Sequence, residues 1–446
     1  VSDQAAFGLD QAGLKYALEL LVQAESAGSG DRDITSLNTL DGLNTLDGPN
    51  PAADLNTLDG LNPAADLNTL DGLNPAADLN TLAGLAEGLP EQGCGPAATL
   101  DELAPAVLSS ARALGAPGFF AHMDPPTPWI TWAMHLWTAS RNQNLLHPDT
   151  APVARQIEAR VIDWLAPHFG MTGGHLTPGS TVANLTALWA AREAGATTVV
   201  STRSAHLSVR KAAHLLGLDH RSISSWDDPG DLAACAVVLT AGTTSCGEIE
   251  PLDAATDAIW RHVDAAWSGP LVLSDQHRSL LAGIEHADSV AVSAHKWLFQ
   301  PKESAMVLFA DVDAAHASVS FEADYLAVPN IGVLGSHGAA AVPLLATLLA
   351  YGRVGIAGWI DRSMALTEEL ADLVTAHDLL EVRTRPQSAV LNWRRTDMTP
   401  AEVQRNLPPN VFVSTTTIDG EPWLRSVGAN PMAEPETVVA AVVAGS

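Results

Sequence analysis

The chain has 446 residues, 47% hydrophobic and 17% charged, which is enough for a large core and for two or three domains. A formal net charge of −28 argues against nucleic acid and anionic membrane as partners, because both are recognised by basic surface. Three widely spaced cysteines, Cys94, Cys235 and Cys246, make neither a disulfide framework nor a metal knuckle, so no metal is expected. The start, Val1-Ser2-Asp3-Gln4, lacks the basic and apolar regions of a signal peptide, and no stretch reads as long enough to span a bilayer. A cytoplasmic location is the expectation.

In chain order, the apolar spacing over 9–24 predicts one amphipathic helix. A twelve-residue unit, Leu-Asn-Thr-Leu-Asp-Gly-Leu-Asn-Pro-Ala-Ala-Asp, then recurs from Leu55, Leu67 and, with a degraded end, Leu79; shorter copies start at Leu37 and Leu43. Its Asn, Asp, Gly and Pro favour turns, and the spacing of a calcium-binding EF-hand loop is absent. Residues 1–114 therefore read as a helical segment carrying an expanded surface insertion over 37–84, which need not carry chemistry. From about Gly115, helices at 153–167, 181–194 and 209–216 alternate with strands at 197–201, 234–240, 258–264, 289–293 and 304–310. That alternation predicts an α/β class, with a mostly parallel sheet flanked by helices over 115–350. Helices at 339–349 and 359–377 lead to strands at 380–393 and 411–427 in a smaller C-terminal α/β domain over 351–446. Ligands of such sheets sit at the carboxyl ends of the strands.

Lys296 is one of four lysines, and it leaves the apolar strand at 289–293 within Ser293-Ala294-His295-Lys296-Trp297. A partly buried ammonium has a lowered pKa, so its neutral amine can take up a carbonyl as a Schiff base. Lys15, Lys211 and Lys302 lie in helix or loop contexts that suit solvated charges. The run from Gly173 to Asn184, Gly173-Gly174-His175-Leu176-Thr177-Pro178-Gly179-Ser180-Thr181-Val182-Ala183-Asn184, reads as a glycine-rich turn opening a helix. Its free N–H groups and helix dipole would make a phosphate cradle, although a plain capped helix explains the same residues. In His262-Val263-Asp264-Ala265-Ala266-Trp267, Asp264 ends a strand, and the alanines leave room for a flat ring. Its carboxylate would hold a pyridine nitrogen protonated; turn capping is the plainer reading. His206 lies between a strand and a helix, where it would stack on a ring or serve only structure. The hydroxyl-rich turn Gly242-Thr243-Thr244-Ser245 suits hydrogen bonding nearby.

The order of these motifs, with Asp-Ala-Ala upstream of His-Lys-Trp, resembles the group II pyridoxal-phosphate-dependent amino-acid decarboxylases of fold type I. These include the aromatic-amino-acid, glutamate and diaminobutyrate decarboxylases, and the resemblance runs from about Pro117 to Ile356. It implies that Lys296 carries pyridoxal 5'-phosphate, that Asp264 pairs with the pyridine nitrogen, and that Ala266 and His206 face the ring. Gly179, Ser180, Thr181, Ser293 and His295 would surround the phosphate, and Thr244 would support the ring region. Ala323-Asp324-Tyr325-Leu326 is similar to the family's mobile loop, which implies that Tyr325 protonates the carbanion; packing in a linker is the alternative. Three departures stand out: Ser180 replaces a second glycine, the stretch from Tyr325 to Ser336-His337 is short, and His337 replaces an arginine.

The resemblance implies decarboxylation of an amino acid to an amine and carbon dioxide by a homodimer, and it leaves open that Tyr325 serves the partner's site. Substrate contacts are expected from the segment Phe119-Phe120-Ala121-His122-Met123-Asp124, with His122, Met123 and Asp124 foremost, and from Asn144 and His337. No Lys or Arg lies between Arg112 and Arg141, which points to a neutral aliphatic or aromatic substrate, while Asp124 keeps a basic one open. A carbon–carbon or carbon–sulfur lyase, an aldehyde-forming oxidase and a non-catalytic scaffold are the alternatives.

Overall fold

The computed structural model describes residues 15–22, 88–109 and 111–445. The chain divides into two compact units, Val1–Ala116 and Pro117–Ser446. Of the first, residues 15–22 are helical, consistent with the amphipathic spacing, and a second helix, α1, spans Pro96–Ala104. The remainder of the helix expected over 9–24, and the repeats over 37–84, lie outside the described residues.

The second unit opens with α2 (Trp129–Arg141) and α3 (Pro152–Leu165). In α3, Ala154, Val161, Ile162 and Leu165 recur at helical spacing and form its buried face. There follow β1 (Gly173–Thr177), α4 (Ser180–Glu193), β2 (Thr198–Thr202), α5 (Leu207–Leu216), β3 (Asp219–Ile223), β4 (Cys235–Thr240), β5 (Trp260–Asp264), β6 (Ser289–Val292), β7 (Ala305–Phe309) and α6 (Val312–Ser318). The seven strands form one sheet in the order β1-β7-β6-β5-β4-β2-β3. β7 runs antiparallel to both of its neighbours, and every other pair is parallel. The mostly parallel sheet expected from sequence is therefore present, with β1 and β3 additional to the expected strands. Ala183, Ala187 and Ala190 of α4 pack on Ala291, Val307 and Phe309. These small side chains let the helix lie close to the sheet, so that its first turn stands at the strand ends.

The glycine-rich run is corrected in part. Gly173 and Gly174 belong to β1, not to a turn around a ligand. A Cβ on Gly174 would lie 2.0 Å from the Val307 carbonyl oxygen, so its lack of a side chain serves strand pairing. The turn is confined to Pro178 and Gly179.

A long helix, α7 (Ala341–Thr375), breaks at Gly352, whose φ of 64° is left-handed, so it amounts to the two helices expected there. By length and composition alone α7 could cross a membrane, against expectation. Its Leu344, Ile356 and Ile360 pack in the core of the large sheet, and Leu366 and Leu370 in the core beneath a second sheet. That sheet comprises β10 (Leu380–Val382), β11 (Val390–Arg395), β12 (Ser414–Ile418) and β13 (Glu421–Val427); a short pair, β8 (Ser320–Phe321) and β9 (Asn330–Ile331), precedes α7. The strands expected at 380–393 and 411–427 thus each resolve into two. β12 and β13 turn at Asp419-Gly420, both with positive φ, the Asp-Gly signature of a two-residue hairpin. Helices α8 (Pro400–Asn406) and α9 (Pro435–Ala444) complete this smaller layer.

Of the three histidines on strands of the large sheet, His175 and His262 are the most strongly shifted. Burial pushes His175 of β1 down to about 3 and His262 of β5 to about 4, from an ordinary 6.5. Both are neutral when folded, so their contribution to stability is complete above pH 6.5. It declines below that, as the unfolded chain takes up protons that the folded chain refuses. The urea midpoint of the cofactor-free protein should fall from about pH 7 to about pH 5, and His175→Phe should remove up to roughly 1.4 kcal/mol per pH unit of that slope.

Candidate active site

The carboxyl ends of five parallel strands converge. Thr177 ends β1 just before Gly179 and Ser180; Thr202 ends β2 before His206; Thr240 ends β4 before the Gly-Thr-Thr turn; Asp264 ends β5; and Val292 ends β6 before Ser293 and Lys296. This is where an α/β sheet offers helix starts and uncommitted loop groups to a ligand.

Asp264 is 4% exposed. Its Oδ1 accepts from the Ala266 N–H at 3.2 Å, and its Oδ2 accepts from Asn184 Nδ2 at 2.9 Å. Hydrogen bonds to a charged acceptor are each worth about 1.5–3 kcal/mol, which offsets part of the cost of burying the carboxylate. Lys296 is half-buried. Desolvation lowers its ammonium pKa, opposed by Asp264 and reinforced by Lys302. An amine so placed deprotonates more readily than a surface lysine.

His206 caps α5, with its Nδ1 accepting from the Ser208 N–H at 3.2 Å. Burial lowers its pKa, with Asp264 opposing and Lys296 assisting, so the ring is neutral. Since Nδ1 is an acceptor, the proton of the neutral ring resides on Nε2.

The first turn of α4 has Gly179 as N-cap and no side-chain cap, leaving early N–H groups for an anion. Ser180 and Ser293 share a hydroxyl–hydroxyl hydrogen bond that ties this turn to the lysine loop. His295 Nδ1 is buried without a hydrogen-bond partner, and burial followed by Lys302 pushes the ring down to about 4. An uncapped helix start, an orphaned ring nitrogen, a softened amine and a buried carboxylate match the phosphate, aldehyde and pyridine nitrogen of pyridoxal phosphate. The residues present fit that group.

Other expected residues are placed less closely. Thr181 and Thr244 are exposed, and Thr244 contributes its carbonyl oxygen. Asp124 is ion-paired with Lys302. His122 packs against Phe119 and Phe412, while Met123 is 8% exposed and belongs to the main core. Asn144 donates to Ser336, and His337 Nε2 lies 4.0 Å from Glu158, beside a cavity lined by Arg155 and His175. Tyr325 is 74% exposed. Four residues were missed: Asn184, Ser208, His262 and Arg425. Arg425 is 8% exposed, donates to the carbonyls of Thr244 at 2.7 Å and Ala121 at 3.4 Å, and forms no ion pair among the described residues. Burial draws it to about 10, so it remains cationic at neutral pH. The available signal was a lone polar residue on an otherwise apolar helix face or strand.

The profile of the pyridoxal-dependent decarboxylase conserved domain matches residues 96–394, and this chain belongs to that family. It is 30% identical over 406 residues to L-2,4-diaminobutyrate decarboxylase of Rhizobium meliloti (strain 1021), covering 78% of this chain and 81% of the relative. It is 25% identical to aromatic-L-amino-acid decarboxylase of Bacillus atrophaeus, over 80% and 86% of the two chains. Its fold is similar to that of Oryza sativa TDC with PLP and tryptamine, with TM-score 0.76, 21% identity and 97% of each chain covered. A glutamate decarboxylase domain from Vibrio parahaemolyticus gives 0.74 at 20% identity, over 97% and 94% of the chains. The protein is thus a fold type I, pyridoxal-phosphate-dependent carboxy-lyase acting on an amino acid.

Borohydride reduction of the cofactor-loaded protein, followed by peptide mass mapping, should place the adduct on Lys296 and nowhere else. In Lys296→Ala the adduct and the visible absorbance should both vanish.

Proposed function

We propose that the enzyme decarboxylates an L-amino acid with a neutral side chain, aliphatic or aromatic, giving the amine. The balance of charge around Lys296 carries this reading. Asp264 is bonded to Asn184 and Ala266, Asp124 is paired with Lys302, and Arg425 is a buried cation that forms no ion pair among the described residues, with Asp124 acting on it only at longer range. One buried cation outside any ion pair suits one substrate carboxylate. A charged side chain would lack a counterpart unless the Asp124–Lys302 pair opened. Phe119 and Phe412, with ring centroids 5.9 Å apart, and His122 supply an apolar wall on the segment that also carries Asp124.

Pyridoxal phosphate, when bound, supplies an aldehyde for the amine and a ring that accepts electrons. In the proposed mechanism Lys296 would hold the cofactor and give way to the substrate amine, Arg425 would hold the carboxylate, and Asp264 would keep a proton on the ring nitrogen. The Cα–carboxylate bond would then break with loss of carbon dioxide, and Cα would take one proton from His206 Nε2–H or from Tyr325. Gly179, Ser180, Thr181, Ser293 and His295 anchor the phosphate; Ala266 and Thr244 line the ring.

The exposure of Tyr325 supports a dimer in which this residue serves the partner's site. Trp129, Leu136 and Trp137 of α2 are 64%, 41% and 63% exposed and lie on one helical face, as an interface between two copies would require. Trp137→Asp should shift the protein to monomers by sedimentation; an unchanged dimer would place the interface elsewhere.

A screen of the twenty amino acids for released carbon dioxide tests the substrate. Neutral amino acids should exceed acidic and basic ones at least about tenfold, with amine formed and neither ammonia nor aldehyde. Strongest release from a diamino acid would show that Asp124 leaves Lys302 to bind substrate. Arg425→Met should raise KM at least about tenfold, the loss of one charge-assisted hydrogen bond.

A further inference from the structure

Behind the site runs a buried hydrogen-bonded chain whose direction can be worked out from its Asp264 end. At one end the indole nitrogen of Trp260, which only donates, reaches Ser289 Oγ at 2.9 Å. Ser289 accepts there, so its own hydrogen is free for His262 Nδ1, 2.9 Å away. The neutral His262 ring then carries its hydrogen on Nε2, which lies 3.0 Å from Asn184 Oδ1. The two amide hydrogens go to Asp264 Oδ2 at 2.9 Å and Ser208 Oγ at 2.8 Å. Ser208 passes its hydrogen to His206 Nδ1 at 2.8 Å. At the other end Asp264, as a carboxylate, can only accept, so this end fixes the orientation of the Asn184 amide; the Trp260 contact is compatible with that orientation, since a hydroxyl that accepts one hydrogen bond can donate or accept the next. Asn184, His262, Ser208 and Ser289 are each no more than 1% exposed, leaving no water to repair a reversed contact.

We propose that Asn184 is the positioning residue of this site. Its single amide presents a donor to Asp264 and, through Ser208, determines which nitrogen of His206 bears the proton; Asp264 sets that amide's orientation, and the amide oxygen in turn selects the Nε2–H tautomer of His262. A reversed amide would turn its oxygen toward the Asp264 carboxylate and deny Ser208 its donor. The consequence is an acceptor-only Asp264 facing the cofactor nitrogen and a His206 that offers Nε2–H. The proposal rests on the cofactor site and is independent of which amino acid is decarboxylated.

Histidine-selective nitrogen-15 NMR of the cofactor-free protein reads the chain directly. His206 and His262 should both show a protonated Nε2 and an unprotonated Nδ1, and a proton on Nδ1 of either overturns the proposal. Asn184→Leu should populate the other tautomer of His262, while Trp260→Phe should leave it unchanged; a His262 tautomer that does not respond to Asn184→Leu overturns the proposal. Asn184→Leu removes the donor at similar volume, and Asn184→Asp keeps the shape while replacing a donor with an acceptor. Both should weaken pyridoxal phosphate binding at least about tenfold by absorbance titration, and move the pH midpoint of the visible band. Full affinity in a folded Asn184→Leu, or rescue by Asn184→Asp, would sink the proposal. If the Leu variant does not fold, Ser208→Ala decides through the tautomer of His206, which should shift toward a proton on Nδ1; an unchanged His206 tautomer in that variant overturns the proposal. Failure of the unmodified chain to bind cofactor would refute the cofactor site and leave the NMR result standing.

Discussion

A carboxylate buried at the end of a central parallel strand is the constraint on which this active site depends. Water cannot solvate Asp264, so the protein must, and it does so with one backbone N–H and one amide hydrogen. Those two partners require β5 to end where it does and α4 to lie close over the sheet. The alanine stripe of α4 makes that approach possible. The same helix brings its uncapped first turn to the strand ends, so one packing arrangement places both the acid and the proposed anion cradle. Lys296, on the next loop, is softened by burial yet kept from losing all its basicity by Asp264. Opposite charges at neighbouring strand ends are thus balanced against desolvation.

The smaller sheet takes part in the site as well. Trp267, three residues after Asp264, donates to the Ser388 carbonyl, and Trp297, directly after Lys296, donates to the Gly428 carbonyl. The two indoles also pack against each other, with centroids 4.1 Å apart. Each site motif is therefore anchored into the C-terminal layer by the tryptophan that follows it. Arg425 enters from β13 of that layer and bonds to the carbonyls of Thr244 and Ala121. A buried guanidinium bonded only to dipoles retains an unsatisfied charge, which is what an incoming carboxylate needs.

Most of the chemistry was readable from residue type and position. Lys296, Asp264 and His206 are polar residues at strand ends or between a strand and a helix, where packing alone gives no reason for them. The local readings that failed did so for identifiable reasons. Gly173 and Gly174 looked like ligand-approach glycines but serve backbone approach between β1 and β7. The two C-terminal runs looked like single strands because their alternation continues across turns, although Asp419-Gly420 marked one of them. The argument for a neutral substrate from the lack of cations between Arg112 and Arg141 overlooked Lys302 and Arg425, which reach that segment from far along the chain.

The order of the motifs, the α/β alternation and the proposal of Lys296 as the amine with Asp264 as its acid partner came from the sequence by itself, since they depend on local propensity and on side-chain chemistry. Only the tertiary structure decided which distant groups complete the site. The indole of Trp260, the imidazole of His262 and the amide of Asn184 become one directed chain because strands β5 and β6 lie side by side beneath α4. Hydrogen bonds of that kind depend on ångström distances across the fold, and linear spacing carries no record of them.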